Sequence, residues 1–176
     1  MKKFELTSEF ITNIFGTKLF RIKALIEFGN VKAGELGGFV EKEENLSQDG
    51  NAWVYDNARV YGDACVCGNA WVYDNARVYG DACVCGDARV YGDACVCGDA
   101  RVCGDAGYAT VHGFGSEYRT TTFFKTKAGD IGVKCGCFYG NLSEFRKKVV
   151  ETHGETKKAK EYLMLADLME FRLTHK

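Results

Sequence analysis

Between residues 51 and 106 the apolar positions follow a strict six-residue rhythm. Alanine recurs at every sixth position from Ala52 to Ala106, and valine keeps the same spacing two places later, from Val54 to Val102. Three such hexads form a larger unit. Residues 51–68 read NAWVYDNARVYGDACVCG, residues 69–86 repeat those letters without change, and residues 87–104 are a degenerate third copy. On an extended segment, residues two apart point to one face, so each Ala-x-Val places two apolar side chains on the same side. The Gly-Asp or Asp-Asn pair that follows tolerates left-handed backbone and local side-chain bonding, and it bends the chain. Three bent segments close a triangular coil of eighteen residues, and successive coils stack about 4.8 Å apart. The pattern therefore predicts a mainly β protein built around a parallel β-helix. A six-residue strand-and-turn unit cannot bury its own apolar face, so stacking supplies the stability. Upstream, Val40 and Leu46 keep the alanine phase, which starts the expected body near Gly34.

The flanks carry different patterns. Residues 1–33 alternate through Phe4 and Leu6, then Leu19, Phe20, Arg21 and Ile22, which predicts a β-hairpin turning near Asn13–Thr17. Such a hairpin would cap the open sheet edges of the first coil. Past Gly107 the composition changes. Tyr118–Lys127 (YRTTTFFKTK) and Ile131–Tyr139 read as two strands around Ala128-Gly129-Asp130. Ser143 reads as the N-cap of a helix ending at Gly154, and Thr156 as the cap of a second reaching about Thr174. The expected organisation is a β cap at 1–33, a β-helix at 34–111 and a ββαα domain at 112–176.

Composition narrows the function classes. The chain of 176 residues carries 23 Lys plus Arg against 24 Asp plus Glu, for a net charge of −1. The repeat body is −4 and the segment from Gly107 onward, with 12 basic and 8 acidic residues, is +4, so general nucleic-acid binding is disfavoured. No apolar run approaches the roughly 18 residues of a membrane span, and Met1-Lys2-Lys3-Phe4 opens no signal-peptide core, so the expected location is the cytoplasm. The absence of Pro suits central strands, which need every N–H. Nine cysteines, an odd number without a secretion signal, point to reduced thiols rather than a disulfide framework.

Stacking brings residues eighteen apart into columns. One outward face carries Trp53, Trp71 and Arg89 beside Tyr55, Tyr73 and Tyr91. Aromatic columns of this kind are too apolar to leave wet. Three occupants remain open: the chain's own termini, other copies of the chain, or a ligand. The third face carries Cys65, Cys83 and Arg101 beside Cys67, Cys85 and Cys103. Its expected geometry is too flat and wide for tetrahedral zinc and slightly too wide for a disulfide, so these cysteines read as small apolar fillers. The repeated aspartates read as turn chemistry. No metal and no cofactor is expected.

At this point the chain resembles the hexapeptide-repeat, left-handed parallel β-helix proteins, closely over residues 51–106 and loosely over 34–50. The stretches LFRIKALIEFGNVKAGELGGFVEKEENLS, GFGSEYRTTTFF, CGCFYGNLSEF and HGETKKAKEYL are similar to uncharacterised members from bacteria and their phages, some of which carry transferase labels. The resemblance implies left-handed coiling, against the general right-handed rule for crossovers, and threefold self-association along the helix. It also implies two enzyme forms, a zinc form held by three histidines and an acyltransferase with a histidine base at a subunit boundary. The coils contain no histidine, which removes the zinc form and leaves His112, beside the Gly113–Gly115 loop, as the candidate base.

Three function classes follow. The favoured one is a non-enzymatic, oligomeric binder of phage or mobile-element origin that sequesters a nucleotide-like molecule or blocks a host defence protein. Its expected ligand contacts are Tyr118, Arg119, Thr121, Phe123 and Lys125, which interleave anion donors with stacking rings. Its expected subunit contacts are Trp53, Trp71, Tyr55, Tyr73 and Tyr91. The alternatives are a His112-dependent acyltransferase and a structural scaffold.

Overall fold

The computed structural model describes residues 1–115 and 117–175. Ser116 and Lys176, within the expected C-terminal domain, and the side chain of the turn residue Asp105 lie outside the described residues. The chain opens with an antiparallel hairpin, β1 (Phe4–Thr12) and β2 (Lys18–Ala24). At its turn Asn13 Oδ1 accepts the backbone N–H groups of Phe15 and Thr17, both at 2.9 Å, the local bonding for which Asn is favoured in turns. β3 (Leu36–Val40) then pairs antiparallel with β2 on one edge. Its other edge pairs parallel with the first complete coil, so the hairpin closes that face of the solenoid. β3 needs its paired glycines. A Cβ on Gly37 would meet Trp53 Cζ2 at 2.8 Å, and one on Gly38 would meet the Ala58 carbonyl at 2.6 Å.

Short strands follow at six-residue intervals: β4 (Trp53–Val54), β5 (Arg59–Val60), β6 (Cys65–Val66), β7 (Trp71–Val72), β8 (Arg77–Val78), β9 (Cys83–Cys85), β10 (Arg89–Val90), β11 (Cys95–Val96) and β12 (Arg101–Cys103). They stack in parallel as three sheets, β4-β7-β10, β5-β8-β11 continuing the β1-β2-β3 sheet, and β6-β9-β12. The valines pile in three columns, Val54 on Val72 on Val90 being one. Every valine and alanine from Ala52 to Val102 in this pattern is buried, and a fully buried Val is worth about 1.5–3 kcal/mol. Left-handed backbone recurs at the corners, at Asp56, Gly62, Gly68, Asp74, Gly80 and Gly86, where φ lies between +52° and +72°. The turn chemistry read from the sequence thus operates at that position of each hexad, with Asp or Gly filling it.

The first coil departs from the expected phase. Val40 pairs with Val60 and Leu46 with Val66, an offset of twenty residues, so both belong to the valine columns rather than the alanine phase. Two extra residues in the corner between Leu46 and Trp53 account for the shift. The Lys3 side chain lies beneath that corner. Lys3 is only 2% exposed, its Nζ donates to the Ala52 carbonyl at 2.9 Å, and it lies 4.9 Å from the Phe28 ring centroid. Burial pulls its pKa down to about 8, against the raising field of Asp49. The folded state therefore binds this proton more weakly than the unfolded chain. The cost of charging Lys3 is present in full below pH 8 and disappears as pH rises toward 10.5. The unfolding free energy of the wild type, measured against Lys3→Met by urea titration, is expected to rise by up to about 3 kcal/mol between pH 7 and pH 10, at about 1.4 kcal/mol per tenfold change in proton affinity. A difference that stays flat with pH would contradict the buried, weakly compensated amine.

Among the described residues, the C-terminal part has four strands where two were expected. β13 (Tyr108–Val111), β14 (Thr121–Lys125), β15 (Ile131–Cys135) and β16 (Phe138–Asn141) form an antiparallel sheet in that order. The Tyr108–Val111 segment thus leaves the coil rhythm and pairs with β14. α1 (Leu142–His153) is capped by Asn141, two residues before the expected Ser143, in a capping box with Glu144. α2 (Lys157–Thr174) is capped by Thr156. β14 is the seam. Phe124 points into the solenoid core while Phe123, its neighbour, points into the core under the two helices. Period-two alternation explains how one strand serves both. Lys127 N–H donates to the Asp99 carbonyl at 2.9 Å, further tying this sheet to the last coil. Among the described residues, no helix is long and apolar enough to cross a membrane.

Candidate functional site

The Trp/Tyr face becomes the floor of an open groove, and its walls come from both ends of the chain. Stacking at the coil spacing puts Tyr73 and Tyr91 face to face, with centroids 5.2 Å apart, and Tyr108 edge-on to Tyr91. Tyr55 meets Trp71 edge-on at 5.8 Å. The Arg89 guanidinium lies 5.1 Å from the Trp71 ring centroid, a cation–π distance. A cavity of about 470 Å³ is lined by Tyr73, Arg89, Tyr91, Tyr108, Met169 and Arg172, the last two from α2. A neighbouring hollow of about 430 Å³ shares Tyr73 and Arg89 and reaches Trp71, Tyr55, Asp56 and Asn30. A third, of about 210 Å³, extends past Arg89 to Asn51, Asn69 and Asp87. Arg89 borders all three, so it marks the middle of a continuous surface of rings and guanidinium groups.

The expected subunit-contact residues do not share one environment. Trp53 is fully buried, with Phe4 and Phe28 edge-on to it at 6.2 and 5.3 Å, so the chain's own N-terminal segment covers this rung. Its indole Nε1 has no hydrogen-bond partner among the described residues. Trp71 is half-buried and Tyr91 is 51% exposed, so the upper rungs stay open.

The expected ligand strand is largely consumed by packing. Phe123 is buried in the core under the helices, and Thr121 is buried with its hydroxyl donating to Cys135 Sγ at 3.1 Å. Tyr118 is exposed at a positive φ of 50°, Arg119 sits 3.7 Å from Glu117, and Lys125 is half-buried at the strand end. Thr121, Phe123 and Lys125 share the β14 face turned toward the helices, and Tyr118 and Arg119 precede the strand, so the five do not form one open surface. His112 is exposed, and its ring Nδ1 lies 3.1 Å from Thr120 Oγ1. No carboxylate orients it among the described residues, and it does not line the groove. Sequence reasoning placed Arg89 in the aromatic column but gave it no role, although the exchange of Trp for Arg at the third rung was visible there. Asn30, Met169 and Arg172 carried no signal, since only the docking of the termini brings them to this face.

The third face corrects the expectation of unpaired thiols. Cys85 and Cys103, strand partners on β9 and β12, form a disulfide with their Cα atoms 4.7 Å apart. Stacked neighbours in adjacent coils sit inside the 4.4–6.8 Å range for this bond. Cys65, Cys67 and Cys83 remain thiols, and burial raises Cys67 to about 11. Among the described residues, no group of three or more His, Cys, Asp or Glu side chains is placed to hold a metal ion.

Residues 52–72 and 70–86 match the family model of the YdcK Beta solenoid repeat. A relative in Escherichia coli (strain K12), named as the uncharacterized acetyltransferase YdcK, is 39% identical over 74 residues. The match covers 38% of this chain and 23% of the relative, so the chain spans less than a quarter of that protein's length. The repeat body is accordingly a β-solenoid of the hexapeptide-repeat kind found in bacterial proteins, with an eighteen-residue turn.

Proposed function

We propose that this chain is a binding module whose aromatic groove takes a planar, anionic, nucleotide-like ligand, without turning it over. The observation that carries the reading is the convergence of Trp71, Tyr73, Tyr91 and Tyr108 with Arg89 and Arg172 on one open surface. The exposed Tyr91 and the half-buried Trp71 and Tyr73 offer ring surface to a base or other flat group, and guanidinium groups offer paired donors to phosphate or carboxylate. The site thereby moves from β14, where the sequence suggested it, to the face first assigned to subunit contacts. Sequestering a small signal is the role such a module would serve.

Calorimetric titration of the full chain with adenine and guanine mono-, di- and triphosphates tests this. Binding in the micromolar range is expected, and Arg89→Ala should weaken it about 10- to 100-fold, the worth of a charge-assisted hydrogen bond. No heat with any of these ligands, or an unchanged affinity in Arg89→Ala, would overturn the reading. The competing occupant is another copy of the chain, with a threefold assembly as the form that the family resemblance implies. Light scattering decides it: a mass that falls to the monomer in Trp71→Ser would assign the face to a subunit contact.

A second reading rests on the name of the Escherichia coli relative, an uncharacterized acetyltransferase. If the chain is an acetyltransferase, acetyl-CoA turnover should be measurable and His112→Ala should abolish it. The exposed setting of His112, with Thr120 as its hydrogen-bond partner, favours the binding module instead.

A further inference from the structure

A cysteine-centred cluster lies on a different face, where the β5-β8-β11 sheet meets the C-terminal domain. Cys95 opens β11, and Cys97 follows it two residues on, buried at 2% exposure. In the column, Arg77 is the strand partner of Cys95. The Tyr79 hydroxyl lies 3.4 Å from Cys95 Sγ, and Tyr61 stacks on Tyr79 with centroids 5.0 Å apart. From the other side, the Cys95 backbone N–H donates to Thr122 Oγ1 at 3.0 Å, and Lys134 is the strand partner of Thr122. Tyr139, bonded to Asp99 at 3.3 Å, closes the seam beside Cys97. Cys95 itself is half-buried.

These neighbours act on the Cys95 thiol in one direction. A hydrogen bond from the Cys97 thiol, another from the Tyr79 hydroxyl, and the charges of Lys134 and Arg77 hold it below the ordinary thiol value, against the effect of burial. The same bond, with burial, pushes Cys97 up, so it stays protonated and serves as a donor. Cys65, which takes the same place in its own ACVCG segment, is driven upward by burial and by the neighbouring Cys83. The repeat therefore holds cysteines of like sequence in opposite electrostatic settings. Reactive cysteines occupy partly exposed sites rich in positive charge and hydrogen-bond donors.

We propose that Cys95 is a thiol-modification site that accepts small-molecule disulfides of the glutathione-disulfide class. The Cys95 thiolate attacks one sulfur of the incoming disulfide and forms a new S–S bond. The original S–S bond breaks, and the second sulfur leaves as a thiolate that takes a proton from water. The incoming disulfide is the oxidant, and Cys97, Tyr79, Arg77 and Lys134 are positioning residues that hold the thiolate.

Residue-resolved alkylation of the full chain tests the site. Digestion must follow tyrosine, because cleavage after arginine yields the same peptide, VYGDACVCGDAR, from residues 78–89 and 90–101. With iodoacetamide at pH 6.5, Cys95 is expected to react about tenfold faster than the exposed Cys137, a larger thiolate fraction being partly offset by weaker intrinsic nucleophilicity. Oxidised glutathione should add to Cys95 before any other thiol. Tyr79→Phe and Lys134→Gln should each slow Cys95 several-fold at pH 6.5 and leave its rate at pH 9 unchanged, whereas general loosening would speed it at both. Equal rates for Cys95 and Cys137 at pH 6.5, no glutathione adduct on Cys95, or variants that leave its pH profile unmoved would overturn the proposal.

Discussion

Val72→Asp is expected to unfold the protein, and excising residues 69–86 from that variant is expected to restore a folded chain. Val72 is fully buried between Val54 and Val90, in a shaft whose inner wall is alanine and valine. The substitution removes about 1.5–3 kcal/mol of apolar burial and adds an unpaired carboxylate that costs several kcal/mol more. The total is comparable to the 5–15 kcal/mol that holds a typical domain together. The rescue follows from the repeat. Residues 51–68 and 69–86 are identical, so removing the second copy places Val90 on Val54 and leaves both end caps on the faces they now occupy. In a solenoid, stability is close to a sum over coils and their contacts, so the shortened chain should melt cooperatively at a lower temperature than wild type. Circular dichroism melts of the three proteins read both outcomes. A cooperative melt from full-length Val72→Asp near the wild-type temperature, or an unfolded excised chain, would contradict the eighteen-residue coil as the unit of stability.

Identical residues in identical copies should respond differently to the same substitution. Trp53→Ala is expected to cost about 3–5 kcal/mol, the usual range for truncating a large buried aromatic. Trp71→Ala, one coil along, should cost less than half of that. Trp53 is covered by Phe4 and Phe28, and its ring occupies the space left by Gly37. Trp71 is only half-buried, at the edge of the groove, with the Arg89 guanidinium lying over its ring. Trp53→Phe should recover most of the loss, because it refills the volume and removes an indole N–H that lacks a partner. Urea titrations of the three variants give the comparison, and equal losses at Trp53 and Trp71 would show that the hairpin does not seal the first rung.

The same contrast separates what was legible in the sequence from what was not. The inward Ala-x-Val, the coil length, the left-handed corners at Asp56 and Gly62, the hairpin turn at Asn13 and the Thr156 cap all depend on residues within one turn of one another. Backbone sterics and side-chain direction act at that range, so the letters suffice. Other features escaped. The two extra residues that shift Val40 and Leu46 into the valine columns were invisible, because hexad phase survives a lengthened corner in the letters but not in the stack. β14 read as an exposed ligand strand because its Thr, Phe and Lys pattern fits an amphipathic edge equally well. Packing against the last coil on one side and two helices on the other buries it instead.

By itself, the sequence determined the solenoid: its period, its shaft of alanine and valine, its corners and the need for a cap at each end. Only the tertiary structure decided which rung of each outward column is sealed, paired or open. The N-terminal segment buries Trp53 and leaves Trp71 in a groove, a disulfide takes Cys85 and leaves Cys67 as a thiol, and the C-terminal sheet brings Thr122 and Lys134 to Cys95. Copies that are the same letter for letter have the same local physics, so differences among them come from distant segments, through contacts that no local pattern encodes.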